Sequence, residues 1–335
     1  MHSCDASVMC RALTLARLFS GELGHGGWTP IEVDLPRCVS ALVGKVRVKR
    51  VVTGANHTLA VGFCGSLWAC GRGRCGQLGS GNFNDAGPLL RVEALRDVKV
   101  VSAAAGFSHS LALSAGGEVW SFGTARDGRL GQGPEVVAAV AWEPGAPVPA
   151  RMLLPEWCAA DPVAEVTAGG HHSLLRTVSG RLLVCGRGRH GALGVGDAED
   201  RLAPTEVCLQ CAEAGCMCSC GGSRHGRVVA FAAGRDHTIV LTACGAVFCT
   251  GFNGHGQLGT GCTTGSFLFV RPLLPREARI VAVSAGEGHS AAVSDEGTIY
   301  MWGRGDWGQL GCGDYRSCWR PTPLENFSLA VLEDV

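Results

Sequence analysis

The chain predicts an all-β fold, a β-propeller of six four-stranded blades with the first blade incomplete. Three observations lead there: a lattice of glycines that repeats along the chain, strands that are apolar on both faces, and a lack of helix-favouring stretches.

The lattice appears when His57, His109, His172, His237 and His289 are set in one column. A glycine precedes each by three residues: Gly54, Gly106, Gly169, Gly234 and Gly286. Others follow at fixed offsets, among them Gly65, Gly117, Gly180, Gly245 and Gly297, and later Gly71, Gly123, Gly186, Gly251 and Gly303. A Leu-Gly pair closes each unit, at Gly79, Gly131, Gly194, Gly259 and Gly311. A weaker copy starts at His2 and keeps Gly21, Leu23, Gly24 and Gly26, with Cys10 and Ala16 in place of two glycines.

Each unit begins as a strand after its histidine, as in "HTLAV" or "HTIVL", turns at a glycine such as that of "SAGGE", and returns as a second strand. In the return strand a small aliphatic residue (Leu67, Val119, Leu182, Val247, Ile299) is followed by one that is usually large (Trp68, Trp120, Leu183, Phe248, Tyr300). Successive strand side chains face opposite ways, so both faces need cover, and radial packing of each sheet between two others supplies it. One propeller over 1–335 follows, with units at about 1–30, 51–90, 101–133, 166–205, 229–270 and 283–324. The two longer spacings, from His109 to His172 and from His172 to His237, place candidate loop insertions at 134–162 and 197–227.

The repeat also disposes of a nucleotide site. "GRGDWG" at 303–308 has the form G-x-G-x-x-G, but "GRGRCG" and "GRGRHG" repeat it, and no helix can follow in "QLGCGDYRSCWRPTP". The same repetition keeps the column histidines apart, which favours buried hydrogen bonding to a nearby turn carbonyl over metal or catalytic work. No hydrolase elbow, Walker loop or paired carboxylates appear, so no catalytic residue and no cofactor are assigned.

Lys plus Arg and Asp plus Glu balance at 29 each, which gives no bulk attraction to nucleic acid or to an anionic membrane. Most of the 18 cysteines stand singly in apolar strands, as in "RLLVCG", and behave there as small hydrophobes. Arg11 and Arg17 interrupt the apolar N-terminal run, so a cytoplasmic protein is expected, with the nucleus as the other compartment. The exception among the cysteines is the cluster Cys208, Cys211, Cys216, Cys218 and Cys220, with His225 close behind. It has enough thiols for a zinc site, although their crowding into one short stretch, without two separated knuckles, favours a flexible thiol-rich loop.

The motif G-x-x-H-[ST] … G-x-[VIL] … G-x-G-x-x-G-Q-L-G-x-G resembles the regulator of chromosome condensation repeat over nearly the whole chain. The resemblance implies a propeller, seven-bladed in most of the family. It also implies a choice of roles: guanine-nucleotide exchange on a small Ran- or Rab-type GTPase, docking within a ubiquitin ligase assembly, or non-catalytic binding of a partner protein. A plant photoreceptor of this family carries tryptophan after the first glycine of the G-x-x-H turn. This chain has Ala55, Phe107, Gly170, Arg235 and Glu287 there, against photoreception. The expectation is a monomeric module that binds a protein through loops on one face. Two variable columns supply its candidate contacts: Asn56, Phe107, Ser108, His171, Arg235, Asp236 and Glu287 in the turns, and Asp127, His190, His255 and Trp307 ahead of the Leu-Gly pairs.

Overall fold

A computed structural model describes residues 13–14, 37–38, 46–139, 144–207, 209 and 226–324. Its strands make five four-stranded antiparallel sheets and one two-residue pair, Leu13–Thr14 with Arg37–Cys38. Most of the weak first copy lies outside the described residues. The fold is thus all-β, as the glycine lattice predicts. Chain contacts divide it into two compact units, Met1–Ala168 with Leu202–Pro204, and Gly169–Arg201 with Thr205–Val335.

In the first unit, β1 and β2 are the short pair, followed by β3 (Val48–Thr53), β4 (His57–Gly62), β5 (Leu67–Gly71) and β6 (Ala86–Arg91) as one meander. The next meander is β7 (Val100–Ala105), β8 (His109–Ser114), β9 (Val119–Gly123) and β10 (Ala146–Arg151), and β11 (Val163–Ala168) packs against β7 and β8. Strand β10 falls inside 134–162, the expected loop insertion. That stretch therefore contains the fourth strand of its sheet, preceded by a short helix, α1 (Pro134–Ala139). Alternation had hidden the strand, because "APVPAR" carries two prolines, which suit only an edge position.

The second unit holds β12 (His172–Thr177), β13 (Leu182–Gly186) and β14 (Arg201–Val207), then the meander β15 (Val228–Ala233), β16 (His237–Thr242), β17 (Val247–Gly251) and β18 (Ser266–Val270). The last meander is β19 (Ile280–Ala285), β20 (His289–Ser294), β21 (Ile299–Gly303) and β22 (Cys318–Pro323). Strand β14 likewise occupies part of the expected insertion 197–227. The cluster Cys208, Cys211, Cys216, Cys218 and Cys220, with His225, lies outside the described residues.

Every residue of β4, β8 and β16 is buried, the consequence of sheets covered on both faces. Leu59 and Val61 of β4 enter a core with Leu67, Leu95 and Phe122, whereas Ala60 joins Cys70 and Leu89 on the other side. Each such leucine contributes about 1.5–3 kcal/mol by leaving water. Cys185 and Cys249 are fully buried in their strands, and burial pushes the Cys185 thiol up to about 12, so it stays protonated and inert.

Neighbouring sheets are tied by the histidine column, though not through a turn carbonyl as expected. His57 Nε2 lies 2.8 Å from Ser110 Oγ, and Ser110 Oγ donates to the Gln77 carbonyl at 2.7 Å. The pattern repeats from His172 to Thr238 to the Ala192 carbonyl, and from His237 to Ser290 to the Gln257 carbonyl. Because the hydroxyl proton goes to the carbonyl, the imidazole must donate from Nε2. That places the lone pair on Nδ1, which for His57 and His237 has no hydrogen-bond partner among the described residues. A bare acceptor is less costly to bury than an orphaned N–H, so the tautomer suits the dry site.

The glycine three residues before each histidine is set by this packing. A Cβ on Gly234 would sit 2.1 Å from His237 Cε1 and 2.6 Å from the Gly286 carbonyl. Gly81, by contrast, has φ +81° and open space around it, so only backbone strain opposes a side chain there. Urea denaturation should therefore find Gly234→Ala destabilised by about 3 kcal/mol or more and Gly81→Ala by about 1–2 kcal/mol.

Burial lowers His57 and His237 from 6.5 to about 4. The folded protein refuses protons that the unfolded chain binds, so their stabilisation is complete above about pH 6.5 and is lost as pH falls toward 4. The urea midpoint should drop between pH 7 and pH 5, with each histidine contributing up to about 1.4 kcal/mol per pH unit.

Candidate functional site

The glycine that ends each return strand pairs with the column histidine, as Gly251 does with His237, so the turn before the histidine and the loop after that glycine share one edge of the sheet. Backbone bonds join the two. Phe252 N–H donates to the Asp236 carbonyl at 2.8 Å, and Arg187 and Arg304 donate to His171 and Gly288 at 3.0 and 2.8 Å. In the first unit Arg72 and Thr124 do the same to Asn56 and Ser108, both at 2.8 Å. The variable residues thus stand on a rigid backbone frame.

In the second unit this frame brings several expected residues together. The Phe252 ring meets His190 edge-on at 5.5 Å and His255 at 6.2 Å, and remains 37% exposed. Such aromatic pairs stabilise by about 0.5–1.5 kcal/mol beyond their buried area. Arg235 lies between two carboxylates, 3.0 Å from Glu287 and 3.4 Å from Asp236. Its N–H also donates to the Glu287 carbonyl at 3.0 Å, and Gly170 N–H donates to the carbonyls of Gly234 and Arg235, which draws the His171 turn alongside.

Arg304 holds Asp306 at 2.9 Å, and this hydrogen bond keeps the Asp306 carboxyl below the ordinary aspartate range. Next to it Trp307 is 78% exposed and Tyr315 75%. Tyr315 rests near Gly308, the residue after Trp307.

In the first unit, Asn56, Phe107 and Ser108 are partly exposed at turn positions. Asp127 is engaged within its own loop: Arg129, 4% exposed, grips its carboxylate at 2.6 Å, and Asp127 has φ +61°. Arg129 replaces the glutamine that elsewhere caps this loop, where the side chains of Gln77, Gln257 and Gln309 accept from Cys75, His255 and Trp307 N–H. Asp127 is thus engaged in holding the shape of its own loop.

Phe252 was not among the expected contacts. Its column, the residue after each strand-ending glycine, reads Arg72, Thr124, Arg187, Phe252 and Arg304. The single aromatic among polar residues is the signal that would have found it. Among the described residues no group of three or more His, Cys, Asp or Glu is placed to hold a metal ion, and no helix is long and apolar enough to cross a membrane. The edge presents aromatic rings and paired charges.

The RCC1-like domain model matches residues 11–333. The chain belongs to the RCC1-like domain family. It is 31% identical over 294 residues to the ultraviolet-B receptor UVR8 of Arabidopsis thaliana, covering 88% of this chain and 61% of that protein. It is 31% identical to the human E3 ubiquitin-protein ligase HERC2 over 91% of this chain and 6% of the ligase. It is 30% identical to the bovine secretion-regulating guanine nucleotide exchange factor over 79% of this chain and 53% of that protein. The chain therefore spans less than two thirds of each of these relatives.

The solved structures of human WBSCR16 and of yeast RCC1 (Prp20) bound by Kap60 each superpose with a TM-score of 0.73 at 23% identity. The first covers 93% of this chain and 78% of its own, the second 96% and 75%. At that identity they establish the RCC1-like propeller fold.

The Arg235–Glu287 pair is half exposed at both ends, so it is screened by water. A double-mutant cycle with Arg235→Ala and Glu287→Ala should give a coupling below about 1 kcal/mol, leaving both variants folded and fit for binding measurements.

Proposed function

We propose that this RCC1-like propeller is a non-catalytic regulatory module that binds a partner protein through the edge formed by the G-x-x-H turns and the loops after the strand-ending glycines. The observation that carries this is the ring group His190–Phe252–His255, partly exposed beside the Arg235–Glu287 pair. Partly exposed rings bordered by charges have the make-up of a protein interface centre. Arg304, Asp306 and the exposed Trp307 extend the same chemistry.

A second reading, nucleotide exchange on a small GTPase of the Ran or Rab kind, is favoured by the similarity to the secretion-regulating exchange factor. Exchange needs no catalytic group, only tighter binding to the nucleotide-free state of the GTPase. Docking within a ubiquitin ligase assembly is a third, supported by the similarity to HERC2. A cytoplasmic or nuclear site of action, as a monomer, accords with all three.

Two measurements test these readings. Affinity purification from native cells, quantified by mass spectrometry, should lose its principal partner about tenfold on Phe252→Ala with His255→Ala, at an unchanged melting temperature. Equal recovery would remove the edge as the binding surface. Release of a fluorescent guanine nucleotide from a Ran and Rab panel should stay flat under the first reading, and acceleration by catalytic amounts of the propeller would establish the second.

A further inference from the structure

At the opposite end of the same sheets from this edge lies a cavity of about 680 Å³ between the β16–β17 hairpin and the connector 271–279, "RPLLPREAR". At three other hairpins the glycine is pressed against the strand or connector that follows. A Cβ on Gly65 would meet Lys99 at 2.8 Å, on Gly117 Pro162 at 2.5 Å, and on Gly180 Arg227 at 2.5 Å. On Gly245 the first atom met is Arg279 Cγ at 3.7 Å, so this hairpin stands about 1 Å farther off.

The connector that lines the gap carries Pro272 and Pro275, which have no N–H to give to a neighbouring strand; Leu273 N–H donates to the Gly259 carbonyl at 2.9 Å and Ala278 N–H to the Pro275 carbonyl at 3.2 Å. One connector of the first unit, "VEALRDVK", buries Val92 and Leu95, both 1% exposed, and mixes Glu93 and Asp97 with its basic residues.

The open groove is basic and apolar together. Arg271, Arg276 and Arg279 line it against one carboxylate, Glu277, a local excess of two positive charges on a chain whose net charge is zero. Arg271 lies over the Phe248 ring at 5.3 Å. Arg276 and Arg279 make no ion pair and no side-chain hydrogen bond among the described residues. Leu273, 49% exposed, and Leu274 supply the apolar wall. A cavity of this size suits a short chain segment, and unpaired guanidiniums are matched to carboxylates through their bidentate donors.

We propose that this groove binds an acidic peptide segment of a partner protein, its carboxylates on Arg276 and Arg279 and its leucine-like residues on Leu273 and Leu274. The site is separate from the ring-bearing edge and does not depend on that surface having a partner.

A fluorescein-labelled peptide of alternating glutamate and leucine, titrated with the intact protein and followed by anisotropy, tests it. Binding should saturate, weaken with salt, and fall about tenfold or more in Arg276→Glu with Arg279→Glu, while Phe252→Ala with His255→Ala binds normally. The counterpart peptide with lysine for glutamate should bind the charge-reversed protein better than the original. No saturation, or equal affinity of the two proteins for the acidic peptide, overturns the proposal. So does displacement of the peptide by inorganic tripolyphosphate with no contribution from its leucines, which would mark a site for bare anions. Both arginines are exposed, so an unchanged melting temperature verifies that the variants are folded.

Discussion

The structure depends on a buried relay in which an imidazole donates to the hydroxyl of the adjacent sheet and that hydroxyl donates back to a carbonyl of the first. Apolar packing alone would hold two sheets face to face but would let them slide, since burial is roughly indifferent to direction. Hydrogen bonds of 2.7–3.0 Å in a dry interior have no such freedom, because leaving either group unpaired costs about 1–3 kcal/mol. The relay therefore sets the register of one sheet on the next, and the oily residues around it supply most of the binding energy.

Much of the glycine lattice follows from that constraint. The imidazole lies so close to the turn before it that no Cβ fits at Gly54, Gly169, Gly234 or Gly286. Most residues inside the turns are freer, Gly170 excepted, where a Cβ would meet the Arg235 carbonyl at 2.7 Å. Their backbone is pinned by bonds such as Phe252 N–H to the Asp236 carbonyl, while their side chains point away from the core and are free to differ from sheet to sheet. Rigid backbone with variable side chains is the arrangement on which recognition surfaces are built, and it concentrates His190, Phe252 and His255 in one place.

The two ends of the sheets consequently differ in kind. At the turn edge the charges are matched, Arg235 with Glu287 and Arg304 with Asp306, and aromatic rings provide the unsatisfied surface. At the hairpin end, the groove beside connector 271–279 presents Arg276 and Arg279, which have no ion pair among the described residues, and its hairpin glycine stands farther from the connector than Gly65, Gly117 or Gly180 does from its own neighbour. Membership of the RCC1-like family accounts for the frame, and these local departures from the repeat carry the individuality of this chain.

The repeat, the strand pairs and the burial of the strand cysteines Cys70, Cys185 and Cys249 were legible in the sequence because each is a periodic or local property, read at a fixed offset from a histidine, whereas Cys64, Cys244, Cys262 and Cys312 stand exposed. Fourth strands such as "APVPAR" were not, since an edge strand needs neither alternation nor freedom from proline. Only the tertiary structure could decide that the histidines reach a hydroxyl about one repeat away, that Arg129 takes Asp127 out of the exposed column, and that Phe252 stands between two histidines from different loops. Those are distances between residues far apart along the chain, and they come into being when the sheets pack, which no single stretch of sequence records.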